Sequence, residues 1–132
     1  MHIDALVANV QKVVERLRVL HGDFKFAMFY NETLDAPSNW NLIVSSDWTD
    51  QIGTVEATKV IARELHQDLS IENRPAISRV TVLGTTDPFV RDMTRLYPTQ
   101  SRQGAFPLSQ LSAGGVTDGA GFIFYSQPEI PA

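Results

Sequence analysis

Apolar residues in the first twenty positions recur every three or four residues: Ile3, Leu6, Val7, Val10, Val13, Val14, Leu17 and Leu20. This is the period of an amphipathic helix, with Asn9, Lys12, Glu15, Arg16 and Arg18 turned mostly the other way. Gly22 follows as a residue that ends a helix without a Cβ penalty. The spacing predicts a helix over about residues 3–20.

The period then changes to two. Phe24, Phe26, Met28 and Tyr30 share one parity and Lys25, Ala27 and Phe29 the other, which predicts a strand covered on one face and partly on the second. Asn31 to Asn39 contains Pro37 and polar turn formers, and Trp40, Leu42 and Val44 then alternate with Asn41, Ile43 and Ser45. Two antiparallel strands joined as a hairpin are the simplest reading. Helical spacing returns in Val55, Thr58, Ile61, Ala62, Leu65 and Leu69, and Pro75 stops it. Ile77 to Leu83 is a β-branched run suited to a well-buried strand. Thr86-Asp87-Pro88 marks the start of a short helix, with capping side chains before a proline at the first helical position. Its apolar side is Phe89, Val90, Met93, Leu96 and Tyr97, and Pro98 ends it. Beyond it come a weak strand over 106–111, a glycine-rich stretch and a final strand at Phe122 to Tyr125.

The order α-β-β-α-β-α-(β)-β predicts an α+β, α/β-like domain with one mixed sheet of four to five strands and three helices. The passage from the strand 40–45 through a helix to the strand 77–83 is long enough for a parallel crossover, which is almost always right-handed. The carboxyl ends of those strands then share an edge, and each carries a polar cluster. Ser45, Ser46, Asp47, Thr49 and Asp50 follow the first, and Thr85, Thr86 and Asp87 follow the second. Ligands in such sheets collect beyond the carboxyl ends of parallel strands, and helix starts favour anions there.

Ser46, Asp47, Trp48, Thr85, Thr86 and Asp87 are therefore the candidate ligand or anion edge. Asp47 and Asp87, joined by Asp50, are weak candidates for oxygen ligands to a divalent cation. The ordinary account of Ser, Thr and Asp before a helix is N-capping, so no metal is assigned. Trp48, set among turn formers, is either a ligand platform or the closure of the core. Gly114 to Gly121 lacks the Gly-Lys-Ser/Thr ending of a phosphate loop and reads as a hairpin connection. His2, His21 and His66 form no i,i+3 or i,i+4 metal pair; His21 and His66 suit helix carboxyl ends. Ser101, Ser109 and Ser126 stand outside any nucleophile elbow.

At 132 residues with 43% apolar content, the chain reads as a single domain spanning 1–132 with one core. The absence of cysteine removes thiolate metal sites, disulfides and thiol nucleophiles. Fifteen acidic against eleven basic residues give a net charge of −4, which disfavours nucleic acid and anionic membranes. Lys59, Arg63, Arg74, Arg79, Arg91, Arg95 and Arg102 are scattered without a run. The start Met1-His2-Ile3-Asp4 lacks a basic leader region and no segment has bilayer-spanning length, so a cytoplasmic location is expected.

The sequence carries no catalytic signature and implies no cofactor. The leading expectation is a small accessory or regulatory domain acting through a protein partner or self-association as a homodimer, with strand aromatics such as Phe29 and Tyr125 at the interface. One alternative is a metal- or phosphate-dependent hydrolase or transferase at the strand-end edge. Another is a small-molecule binding module built on Trp48 and the glycine-rich stretch.

Overall fold

The computed structural model describes residues 3–31, 40–68, 77–98, 106–108 and 120–127. Among them are α1 (Ile3–His21), β1 (Phe26–Asn31), β2 (Trp40–Ser45), α2 (Asp47–Ile52), α3 (Thr54–Asp68), β3 (Ile77–Val82), α4 (Pro88–Leu96), β4 (Phe106–Leu108) and β5 (Ala120–Ser126). The strands form one mixed sheet in the order β3-β2-β1-β5-β4. The α+β class and element order predicted by periodicity are found. The single crossover helix is instead two helices, because Gly53 at φ +90° stops the first turn and a half. Its N–H closes on Thr49 O at 3.0 Å before α3 begins.

β1 occupies the centre. It pairs antiparallel with β2 on one side and β5 on the other. Alternation sends Ala27 and Phe29 into a core shared with α1 and α3, and Phe26, Met28 and Tyr30 into a second core against Val90 and Met93 of α4. Phe29 is thus fully buried, contrary to its expected place at an exposed interface. A strand in the middle of a sheet covered on both faces has no solvent side, and Phe29 stacks on Trp40 at 4.6 Å. Phe24, one residue pair before the strand, lies in the α1-side core.

β2 is buried along its whole length, and β3 runs parallel to it. Leu83 N–H donates to Val44 O at 2.9 Å, carrying the ladder to the shared carboxyl edge. β5 contains a bulge. Ala27 pairs with Tyr125 but Met28 pairs with Ile123, so Phe124 is the extra residue. The bulge puts both Phe124 and Tyr125 on the α1 side, while Ile123 stays on the α4 side.

Two helices lie on the α1 side: α1 over β1 and β5, and α3 over β3. They are tied to one another by Arg16 and Glu64 at 3.4 Å. A helix is about 10 Å wide and a strand about 4.8 Å, so two helices cover roughly four strands.

Gly121 sits opposite Tyr30 with no room for a side chain, since a Cβ there would lie 2.8 Å from Phe29 O. Gly121→Ala is expected to lower the unfolding free energy by about 1–3 kcal/mol, because the obstacle is backbone. At Gly84 the nearest atom is Asp50 Oδ1 at 3.9 Å. Gly84→Ala should therefore change stability by only about 0.5 kcal/mol. Urea unfolding of both variants checks the contrast, and equal losses would contradict it.

Candidate functional site

The two polar clusters predicted at the strand ends meet through Asp50 and Thr85. Thr85 Oγ1 donates to Asp50 Oδ2 at 2.7 Å, and Lys25 Nζ donates to Thr85 O at 3.2 Å. Ser46 is the N-cap of α2: its hydroxyl accepts from Trp48 N at 3.2 Å and donates to Asp23 O at 2.8 Å. Thr49 returns the contact, accepting from Ser46 N at 3.1 Å. Asp87 caps α4 by accepting from Phe89 N at 2.8 Å. Asp47 lies exposed in the first turn of α2 and Thr86 exposed in the turn before α4.

Ser45, the last residue of β2, is buried and pairs with Phe26. Trp48 is buried, stacked on His21 at 4.6 Å and edge-on to Phe24 at 5.8 Å, so it closes the end of the core. Among the described residues no group of three or more His, Asp or Glu side chains is placed to hold a metal ion. Most of the glycine-rich stretch, with Ser101, Ser109, Arg74, Arg102 and His2, lies outside the described residues.

A concavity lies away from this edge. A groove of about 960 Å³ runs along α1 from Ala8 to Val19, with Phe124, Tyr125 and Gln127 on the β5 side. It forms along the margin where α1 meets β5. The side chains on its α1 wall are the polar positions Gln11, Lys12, Glu15, Arg16 and Arg18, and Asp23 closes one end. Glu15 is its electrostatic hub. Arg18 grips the Glu15 carboxylate from Nη2 at 2.6 Å and Nε at 3.1 Å, and reaches Asp23 Oδ1 at 3.1 Å. Tyr125, aimed at α1 by the β5 bulge, donates its phenol to Glu15 Oε2.

These contacts fix protonation. The hydrogen bond from Arg18, followed by that from Tyr125, holds the Glu15 carboxyl below its ordinary value. Burial, with the bond to Glu15, pushes the Tyr125 phenol up to about 12. Arg18 is held more firmly protonated by Glu15 and Asp23. General acid–base catalysis works best with groups poised near the working pH, and this network is displaced from neutrality in both directions. Together these groups set hydrogen-bond donors and acceptors along a partly apolar wall.

Sequence periodicity placed Glu15 and Arg18 on the side of the first helix turned from the core, and did not pair them with Tyr125. The i,i+3 spacing of Glu15 and Arg18 was a usable signal for their ion pair. The link to β5 depends on a bulge, for which alternation gives no warning.

No family model, curated protein or solved structure matches the chain.

Glu15 and Tyr125 set two separate limits on stability. Glu15 has a lowered pKa in the fold, so its contribution is present above the ordinary carboxylate range and is lost as pH falls through it. Tyr125 has a raised pKa, so its contribution is present below about pH 10 and is lost as pH rises towards about 12. Denaturant midpoints measured across pH should show the acid loss reduced in Glu15→Gln and the alkaline loss reduced in Tyr125→Phe. Unchanged profiles in both variants would contradict the network.

Proposed function

We propose that this chain is a small cytoplasmic accessory domain that acts by binding an extended segment of another polypeptide in the α1–β5 groove. The observation that carries the reading is the groove itself, with its internally neutralised lining. Ala8 to Val19 spans about 16 Å of helix, the length of roughly five residues of extended chain. Gln11 and Gln127 offer amides suited to peptide N–H and C=O groups, and Val19, Phe124 and Tyr125 offer apolar surface.

Charge within the groove is largely cancelled, as Arg18 is shared by Glu15 and Asp23 and Arg16 is held by Glu64. That favours a polypeptide over a polyanion, in keeping with the net charge of −4. Among the described residues no helix is long and apolar enough to cross a membrane.

Selection of random peptides against the purified chain tests this reading. Val19 lines the groove and is 71% exposed, so Val19→Glu leaves the core intact while placing a charge on the docking wall. The enriched peptides are expected to bind Val19→Glu at least about tenfold more weakly than the parent chain. They should bind Asp47→Ala, altered at the opposite feature, as well as the parent. Peptides indifferent to Val19→Glu, or no enrichment at all, would overturn the proposal. A thermal shift with magnesium and nucleotides that disappears in Asp47→Ala would support the hydrolase or transferase alternative in its place.

A further inference from the structure

Charge in the groove cancels as a whole but not along its length. Lys12, Glu15, Arg16 and Arg18 stand on its α1 wall, and Asp23 closes one end. Arg16 is held by Glu64 of α3 at 3.4 Å. Both Glu15 oxygens are engaged, Oε1 by Arg18 and Oε2 by Arg18 and Tyr125. Lys12 stands three residues before Glu15, the less favourable order for an ion pair within a helix. Among the described residues the exposed Lys12 makes no hydrogen bond or ion pair, so its part of the groove is positive.

The other end has the opposite sign. One guanidinium, that of Arg18, serves two carboxylates, Glu15 at 2.6 Å and Asp23 at 3.1 Å, which leaves this end negative. The Asp23 side chain is 74% exposed and therefore open to a further donor. α1 also finishes here, at His21, and the carbonyl end of a helix adds partial negative charge. Between the two ends Val19, 71% exposed, offers apolar surface.

We propose that the groove selects a charge-asymmetric segment: an extended stretch of polypeptide with an acidic side chain against Lys12, an apolar one against Val19 and a basic one against Asp23. The inference rests on the reading of the groove as a peptide site and names the sequence it takes. Lys12 and Val19 are seven residues apart, two helical turns, so they share a side of α1 at a separation of about 10 Å. That distance is about three residues of extended chain, and the flexible lysine stem reaches a carboxylate on either parity of the strand.

Charge separation also fixes direction. A segment laid in reverse sets like charges together at both ends, and a uniformly acidic or basic segment gains at one end what it loses at the other. A mixed-charge polypeptide is thereby favoured over a polyanion or a polycation.

Peptides selected on the parent chain are expected to carry an acidic and a basic residue on opposite sides of an apolar one. Lys12→Glu should weaken their binding by about fivefold or more, and exchanging the peptide's acidic residue for lysine should restore it. The restoration separates direct contact from a general disturbance of α1. Asp23→Asn should weaken binding by about threefold, with no loss for peptides whose basic residue is replaced by glutamine. Raising the salt concentration should weaken binding to the parent chain. Peptides that lose affinity with Val19→Glu but are indifferent to Lys12→Glu, or that bind equally well with their charges exchanged, would overturn this inference and leave the peptide-binding reading in place. Peptides indifferent to Val19→Glu, or no enrichment, would overturn both.

Discussion

Burial of β1 on both faces is the constraint from which the rest of the molecule follows. Phe26, Met28 and Tyr30 require cover on one side, and Ala27 and Phe29 on the other. A strand of this kind is stable only with a neighbour on each edge and a helical layer on each face. β2 and β5 supply the edges; α4 supplies one layer, and α1 with α3 supplies the other. The hydrophobic stabilisation is concentrated there, each large side chain such as Phe29 or Leu42 contributing about 1.5–3 kcal/mol on burial.

The groove beside α1 is a remainder left by this arrangement. α1 meets β5 along one margin, and the groove lies there. The margin is held by polar contacts: Glu15 on the helix, Arg18 one turn further, and Tyr125 brought round by the bulge. At the far end, among the described residues, the sheet stops at β3 with α3 above it.

Those strand-end groups explain how far the sequence could be read. Ser46 and Asp87 were legible because capping depends on local spacing, and both are caps in the structure. The meeting of the two clusters was legible from the crossover length, although it is Asp50 that makes the hydrogen bond to Thr85. Which acid on a short helix reaches the next strand end depends on where that helix begins and stops, and the apolar period that predicts the crossover helix starts only at Val55, beyond Gly53. Phe29 was misplaced for a different reason. Alternation reveals which residues share a face, but whether the second face is covered depends on helices distant in sequence. The Glu15–Tyr125 link spans 110 residues and a bulge, and no local pattern carries it.

α1 is fastened to β5 through Glu15 and Tyr125, and with it forms the walls of the groove. A double-mutant cycle on urea unfolding with Glu15→Gln, Tyr125→Phe and the combined variant measures that fastening directly. The account predicts a coupling free energy of about 0.5 kcal/mol or more at neutral pH. Losses that simply add, with no coupling beyond error, would contradict it.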